Sequence, residues 1–325
     1  MKNKSFEKTI TSRGKKFLFR VENSDKARDY AKYEKLRLAV WGEERDHLSG
    51  LRNMCGENYF SEGSSLFIGI FTEDGTGSFP LDEKHLVGFS YGYIGVLNKE
   101  LGFRSPSNLR FYSQYAAVRK DMRNYGLGIE LKKFQRETLL KIYGVSWITC
   151  TYDPLTAVNA YRNIHVFGME VMEYRKGFYG DFGGYLNRED IPLDRFYIRW
   201  NLRRDFKRQK LNLDSFLSRG CLINPSFEKK VEGKSGNLTL PVVKEYCQKN
   251  VDDWALVEIP SDFYKMLRET DVEDEEVKKI PLCWRMVTRE AFQRLFRDGF
   301  KVIDFIKETG SRRRTFYVLK EAKKD

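Results

Sequence analysis

Three residues of one short segment suggest chemistry most clearly, because Arg123, Gly126 and Gly128 form an Arg-x-x-Gly-x-Gly pattern. The segment follows a run of alternating residues and precedes a run with helical periodicity. The first N–H groups of a helix have no intrahelical partner and lie at the positive end of the helix dipole. A glycine-opened turn at a helix start can therefore bind a pyrophosphate through its main chain. The alternative is an ordinary strand-to-helix turn.

The pattern differs from the fingerprint of dinucleotide-binding folds. That fingerprint, Gly-x-Gly-x-x-Gly, would need a third glycine where this chain has Leu131. An acidic residue is also required about 20 positions later, at the end of the next strand. Dinucleotide binding is therefore disfavoured.

Several predicted elements must position this turn. Alternating or apolar runs predict strands, and helical spacing between caps and glycines predicts helices. Because one strand, the turn, a helix and another strand follow in order over residues 109–152, the two strands should be parallel neighbours. We expect a mixed α/β (α+β) sheet over residues 1–204, with strands at 17–22, 65–71, 86–96, 109–118, 145–152, 169–178 and 195–202, and helices at 27–40, 127–142 and 156–167.

The remainder of the chain predicts a second region. Residues 205–250 are irregular and basic, which is typical of a connector or insertion. Residues 251–325 predict an α+β region packed on the first domain, with a strand at 254–259, helices at 262–268 and 282–298, and a hairpin at 300–306 and 315–319. A weak similarity between 167–171 and 298–302 leaves a degenerate half-repeat open, but only one glycine-rich turn is present, so we expect one cofactor site.

At the glycine turn the chain resembles the GNAT acyltransferase superfamily, in which an Arg/Gln-x-x-Gly-x-Gly/Ala turn after the fourth strand holds the pyrophosphate of acyl-CoA. The resemblance extends to a branch of predicted acetyltransferases whose substrates are unassigned. It is based on Asp153-Pro154-Leu155, Asn159-Ala160-Tyr161-Arg162-Asn163 and Trp284-Arg285-Met286-Val287-Thr288-Arg289. It implies acetyl-CoA or another acyl-CoA as cosubstrate, with the pantetheine arm between two splayed strands at 109–118 and 145–152.

The resemblance also implies a set of binding residues. Backbone N–H groups near Ala117 and Val118 should stabilise the oxyanion, and the turn itself should hold the phosphates. The expected cofactor-binding residues are Ala117, Val118, Arg123, Asn124, Tyr125, Gly126, Leu127, Gly128, Asn159 and Asn163. No metal ligand is predicted, since His47 and His85 are isolated and no covalent acyl-enzyme motif occurs.

The implied reaction is attack of a neutral amine on the thioester, which needs a proton acceptor and an acid for the thiolate. Many superfamily members place a tyrosine four residues before the glycine that ends the helix, where this chain has Ile164. Our candidates are therefore Asp153, Tyr161 and His165. Each also has a structural interpretation, as a turn-starting Asp, a packed Tyr and a surface His.

Composition limits the alternatives. The formal net charge is +12 and charged residues make up 32% of the chain, so an RNA-associated acyltransferase using residues 203–210 and 312–314 stays open, although a solvated face is the usual reason for such runs. The five scattered cysteines and the absence of a long apolar segment predict a soluble cytoplasmic protein without membrane or metal. A non-catalytic acyl-CoA sensor is a second alternative, and the amine acceptor and the oligomeric state stay open.

Overall fold

The computed structural model describes residues 6–42, 47–180, 184–244, 253–308 and 313–322. The chain divides into two compact units, of which the first is Met1–Cys150 with Asn201–Arg204 and the second is Thr151–Trp200 with Asp205–Asp325. The predicted boundary at residue 204 differs from this division. The chain leaves the first unit already after Cys150, in the middle of a strand, where no loop or composition change marks a boundary.

The first unit is built on a mixed sheet, as predicted. Strands β1 to β5 pair in chain order and antiparallel, while β5 and β6 run parallel. Their bounds are Glu7–Ser12 (β1), Lys15–Val21 (β2), Ser65–Thr72 (β3), Leu86–Val96 (β4), Leu109–Val118 (β5) and Trp147–Tyr152 (β6), of which β6 enters the second unit after Cys150. Phe17, Phe19, Phe67 and Phe89 are fully buried and anchor the core of this sheet.

Helices cover both faces of the sheet in this unit. They are α1 (Ala31–Trp41, after a 3-10 turn at Ala27–Tyr30), α2 (Leu51–Glu57) and α3 (Leu127–Ile142). From α3, Gln135 approaches Ser90 of β4 and Ser113 of β5, whereas α1 places Tyr33 against Phe89. Because alternate residues of a strand point to opposite faces, α1 and α3 lie on opposite sides of the sheet.

Strand β5 contains a bulge that alters its course. Tyr91 of β4 faces Tyr115, but the next residue, Gly92, faces Ser113, so Gln114 is an extra residue in β5. Within the first unit, the parallel pairing of β5 with β6 consists of Phe111 with Ile148 and Tyr112 with Thr149. A bulge bends its strand and increases the local twist. The splay of the two strands beyond these pairs stays a prediction.

The second unit combines two antiparallel strand pairs, a three-stranded antiparallel sheet and short helices around one long helix. The long helix α8 buries Trp284, Ala291, Phe292 and Leu295 at helical spacing, which explains why its sequence was readable. The elements are α4 (Ala157–Ala160), β7 (Glu170–Arg175), β8 (Arg195–Asn201), α5 (Leu213–Ser218), β9 (Ser226–Gly233), β10 (Gly236–Val243), β11 (Trp254–Ile259), α6 (Phe263–Glu269), α7 (Glu275–Lys278), α8 (Ile280–Arg297), β12 (Phe300–Lys307) and β13 (Thr315–Glu321).

Two predictions of local structure were wrong here. The segment 205–250 is not simply irregular, since it contains α5 and the hairpin of β9 and β10; residues 245–250 lie outside the described residues. Most residues of the hairpin are polar or exposed, and its few buried apolar residues, Val231, Leu240 and Val243, do not alternate, so no strand period was visible. The helix predicted at 156–167 is α-helical only over α4 and continues as a π-helix at Tyr161–Val166.

Candidate functional site

The turn after β5 has the geometry of an anion-binding helix start. A 3-10 segment, Lys120–Tyr125, follows Arg119 and ends at Gly126, whose φ is +69°. This left-handed conformation is easily adopted only by glycine. A side chain at Gly126 would meet no atom within 4 Å, so the space above this residue is open. Helix α3 begins immediately afterwards.

The start of α3 leaves two backbone donors without an acceptor in the described part of the chain. The carbonyl oxygen of Gly126 accepts from the N–H groups of Ile129 and Glu130, at 3.0 and 3.3 Å. No side chain caps this helix, and the N–H groups of Leu127 and Gly128 have no acceptor within the described part of the chain. Since α3 has 16 residues, its dipole adds partial positive charge at this end. An anion held here would satisfy both donors.

The turn is held in place by contacts with the hairpin of β1 and β2. Ser12 donates a hydrogen bond of 2.8 Å to the carbonyl oxygen of Tyr125. The ring of Tyr125 packs on Phe17 at 5.4 Å between centroids, and the ammonium group of Lys15 lies 5.3 Å from the same ring. Leu127 is buried and fixes the first turn of α3 in the core. The open donors therefore belong to a fixed backbone.

Charges around the turn are unequally paired. Arg119 binds Asp121 with two hydrogen bonds, of 2.8 and 3.0 Å, and this bonding lowers the pKa of the Asp121 carboxyl. Lys133 similarly pairs with Glu130 in the first turn of α3. The predicted ligand Arg123 and its neighbour Asn124 are exposed, and neither makes a side-chain hydrogen bond within the described residues. The local acids are thus neutralised, while Arg123 is available to a phosphate.

The end of β5 presents one of the two predicted oxyanion donors. The N–H of Arg119 bonds to the carbonyl oxygen of Val87 at 2.8 Å, so these two residues form a hydrogen-bonded pair. Because such pairs alternate with non-hydrogen-bonded pairs, Val118 opposite Gly88 directs its N–H away from β4. Ala117, opposite Phe89, is bonded to β4 instead. Of the two, only Val118 therefore has an N–H on the side of β5 that faces away from β4.

The three predicted proton-transfer residues belong to the second unit, and Asp153 is the most constrained of them. Its carboxylate accepts two hydrogen bonds from the guanidinium of buried Arg285, one at 2.9 Å, and another from the N–H of Leu155 at 2.9 Å. Burial alone would lower the pKa of Arg285, but the charge and hydrogen bonds of Asp153 raise it above its usual value. The arrangement fits a structural ion pair better than a proton acceptor.

His165 and Tyr161 form a chemically richer group on the π-helix. His165 Nδ1 lies 2.9 Å from the buried carboxylate of Asp304 in β12, and its ring stacks on that of Tyr161 at 4.8 Å. The ammonium group of Lys307 lies 4.1 Å from the Tyr161 ring, and partial burial lowers the pKa of Lys307. π-Helical turns often occur at functional sites.

The two predicted cofactor-binding asparagines also lie in the second unit. Asn159 donates to Thr156 at 3.0 Å and accepts from Arg162 at 2.9 Å. Asn163 is buried and accepts from Arg162 Nε at 3.2 Å. Their amide groups thus bond within their own helical segment.

Sequence analysis missed the partners that explain the Trp-Arg motif of α8. Trp284 Nε1 donates to the carbonyl oxygen of Pro241 at 2.9 Å, Arg285 pairs with Asp153, and Arg289 pairs with buried Asp194 through two bonds of 2.8 Å. These partners are distant in sequence, and only the regular spacing of the basic residues on α8 was visible. The motif therefore fastens α8 to three other segments of its unit.

The remaining predictions concern charge and metal. Residues 203–210 are exposed, and Arg203 donates a hydrogen bond of 2.6 Å to the hydroxyl of Ser146. Arg312 lies outside the described residues. Within the described ranges, no group of three or more His, Cys, Asp or Glu side chains could hold a metal ion. Among the same residues, no helix is both long and apolar enough to cross a membrane.

No model of a known protein family matches the sequence, and no curated protein matches it either. Similar solved structures include NAA60 of Arabidopsis thaliana bound to a bisubstrate analogue, at 12% identity over 57% of this chain and 98% of that one, with a TM-score of 0.42. The ribosomal-protein-S5-alanine acetyltransferase of Vibrio fischeri has 14% identity over 63% and 99%, with a TM-score of 0.42. The ribosomal-protein-S18-alanine N-acetyltransferase of Escherichia coli has 13% identity over 59% and 99%, with a TM-score of 0.39. These likenesses are too weak to bear on function, which has to follow from the residues of the chain.

Proposed function

We propose that the chain is an acyl-CoA-dependent N-acyltransferase of the GNAT type, which transfers acetyl from acetyl-CoA to an amine. The observation that carries the proposal is the start of α3, where the N–H groups of Leu127 and Gly128 have no acceptor among the described residues and lie beside the left-handed Gly126. This arrangement suits the diphosphate of a nucleotide cosubstrate. The assignment of the cosubstrate stands on the first unit alone, whereas the proton acceptor proposed below is a residue of the second unit.

The proposed binding residues divide by function. Leu127 and Gly128 donate backbone hydrogen bonds to the diphosphate, and Arg123 adds a cation beside it. The N–H of Val118 is directed away from β4, and we propose that it faces the amide groups of the bound pantetheine arm. The same N–H is our candidate donor to the thioester oxygen. Acetyl-CoA supplies the activated acyl group.

Transfer requires that the amine lose its proton as the C–N bond forms and the C–S bond breaks. We propose His165 as the residue that accepts this proton. Asp304 holds Nδ1, which leaves Nε2 as the acceptor of the neutral ring, and the stacked Tyr161 restricts the orientation of the imidazole. Asp153 is a weaker candidate because Arg285 occupies its oxygens.

Turnover measurements test this assignment. We expect His165→Gln to lower kcat by about 10²- to 10⁴-fold, the usual contribution of a general base, with unchanged affinity for CoA. Asp304→Asn should lower kcat by about tenfold, since it disturbs only the orientation and tautomer of His165. The matched control is His85→Gln, because His85 pairs with an exposed carboxylate, Asp82, in the same way at 2.7 Å.

Thiol release is followed with acetyl-CoA and a panel of amines, beside a calorimetric titration with CoA. Binding of CoA without turnover of any amine would favour a non-catalytic acyl-CoA sensor. Normal turnover in His165→Gln would remove the proposed base while leaving the cosubstrate assignment intact. Failure to bind CoA would contradict the proposed function itself.

A further inference from the structure

One face of the sheet in the first unit has four tyrosines that the proposed transfer does not use. Tyr91 lies opposite Tyr115, and Tyr93 lies opposite Tyr112, across β4 and β5. A regular strand would put Tyr112 and Tyr115 on opposite faces, because their separation is odd. The bulge at Gln114 brings them to the same face. This tyrosine face is turned away from α3, toward which Ser90 and Ser113 point.

The rings form a continuous and partly accessible surface. Centroids are 6.4 Å apart between Tyr91 and Tyr93, and 5.6 Å apart between Tyr93 and Tyr112. At the end of α1, Trp41 packs edge-on against Tyr115 at 5.3 Å. Tyr93 is 38% exposed, whereas Tyr91 is buried. A ligand can therefore reach the rings from the side of Tyr93.

A carboxylate borders this face. Glu57 at the end of α2 accepts a hydrogen bond from the Tyr91 hydroxyl at 3.1 Å and another from Ser49 at 3.2 Å. Burial, and then the charge of Glu57, raises the pKa of Tyr91, so this hydroxyl stays protonated and keeps donating. In the described part of the chain, no Lys, Arg or His forms an ion pair with Glu57. Among the described residues, its negative charge is therefore held in place without a paired cation.

The face already accommodates one cation at its outer end. The guanidinium of Arg110 lies 5.2 Å from the centre of the Tyr112 ring. Arg110 is fixed there by hydrogen bonds to the carbonyl oxygen of Val96 at 3.0 Å and to Thr149 at 2.8 Å. Arg110 thus lies at Tyr112, and a second cation could bind at Tyr93 and Glu57. Ring faces attract cations, and they do so more strongly when water is excluded.

We propose that the tyrosine face, with Trp41 and Glu57 at its border, binds the alkylammonium group of the acyl acceptor. The face thus favours an acceptor that carries a positive charge at the group it presents to the rings. The inference rests on the proposed acyl transfer, in which such an amine must release one proton before it attacks the thioester. The rings bind the cation, and Glu57 supplies its counter-charge.

The test uses two probes of equal shape that differ in charge. Choline has a quaternary nitrogen that cannot be acylated, and 3,3-dimethyl-1-butanol is its neutral isostere. Calorimetric titration of the protein without CoA should show choline binding about tenfold or more tightly than the neutral probe. Equal affinities for the two probes would overturn the proposal.

Variants locate the binding on this face. Glu57→Gln and Tyr93→Leu should each reduce choline affinity by about three- to tenfold, without changing the thermal unfolding midpoint. The matched control is Tyr59→Leu, since Tyr59 is similarly exposed but packs on Phe60 and Tyr143. Unchanged choline affinity in both face variants would also overturn the proposal. A separate CoA titration distinguishes outcomes, because lost CoA binding with intact choline selectivity contradicts only the proposed acyl transfer.

Discussion

The glycine turn and the Trp-Arg motif of α8 are both visible in the sequence, but their polar groups are used in opposite ways. At the turn, backbone donors of Leu127 and Gly128 are fixed in place and left without protein acceptors. In the motif, Trp284, Arg285 and Arg289 all have protein partners in their own unit. A sequence signature can thus mark either a ligand site or a set of contacts that stabilises the fold. The hydrogen bonds that its groups make within the protein distinguish the two.

The largest expected effect concerns the motif. Arg285→Met should lower the free energy of unfolding by about 3 to 5 kcal/mol, because it leaves the buried carboxylate of Asp153 with only the more distant guanidinium of Arg195, at 3.8 Å. Urea titration measures the change. The double variant with Asp153→Asn should lose less than the sum of the single variants, since the two residues act as a pair. A loss below about 1 kcal/mol in Arg285→Met would contradict a fastening role.

The second effect concerns the turn. Gly126→Val should weaken CoA binding by about 10- to 100-fold, because the side chain would occupy the open space above the donors and strain the left-handed backbone. Gly144→Val is the control at the other end of α3. Gly144 has a φ of +66° and equally open surroundings, so the backbone strain is matched while no proposed ligand is near.

Measured together, the two variants separate a direct effect on CoA binding from the effect of backbone strain. Both should lose similar stability, about 1 to 2 kcal/mol, from the left-handed conformation. Only Gly126→Val should lose CoA affinity in a calorimetric titration. If Gly144→Val weakened CoA binding to the same extent, the effect of Gly126→Val would be an indirect result of strain and the turn would have no special role.

The smallest expected effect is on acid stability. Burial would raise the pKa of Asp194, but hydrogen bonds from Arg289 and Tyr174 outweigh it and lower this pKa. Ionised Asp194 therefore stabilises the fold above its unfolded pKa of about 3.9, and this stability is lost as the pH falls through the lower folded value. Arg289→Met should move the acid-unfolding midpoint to higher pH, measured by circular dichroism. An unchanged midpoint would show that the Arg289 pair does not couple to folding.

Regular elements with long apolar or alternating runs were predictable. The strands at 86–96, 109–118 and 254–259 have the predicted bounds, as does α3, because period and flanking turns agree in each case. The same regularity placed the glycine turn correctly between β5 and α3. Because local sequence determines these features, the location of the candidate phosphate site could be predicted from the sequence.

Features that depend on one residue or on distant partners were not predictable. The bulge at Gln114 is a single added residue with no sequence signature, but it decides which face Tyr112 occupies. The π-helical turn at Tyr161–Val166 likewise directs the His165 side chain differently from an α-helix, and the turn contains no proline or glycine that would predict it. Asp304 is 139 residues from His165, and its pairing depends on tertiary contact alone.

A crystal structure of the protein grown with CoA tests the central claim most directly. We predict that oxygens of the diphosphate lie about 2.7 to 3.2 Å from the backbone nitrogens of Leu127 and Gly128, the range of a normal N–H to oxygen hydrogen bond. Density for the diphosphate at any other place, with the space above Gly126 left to solvent or covered by side chains, would contradict the account.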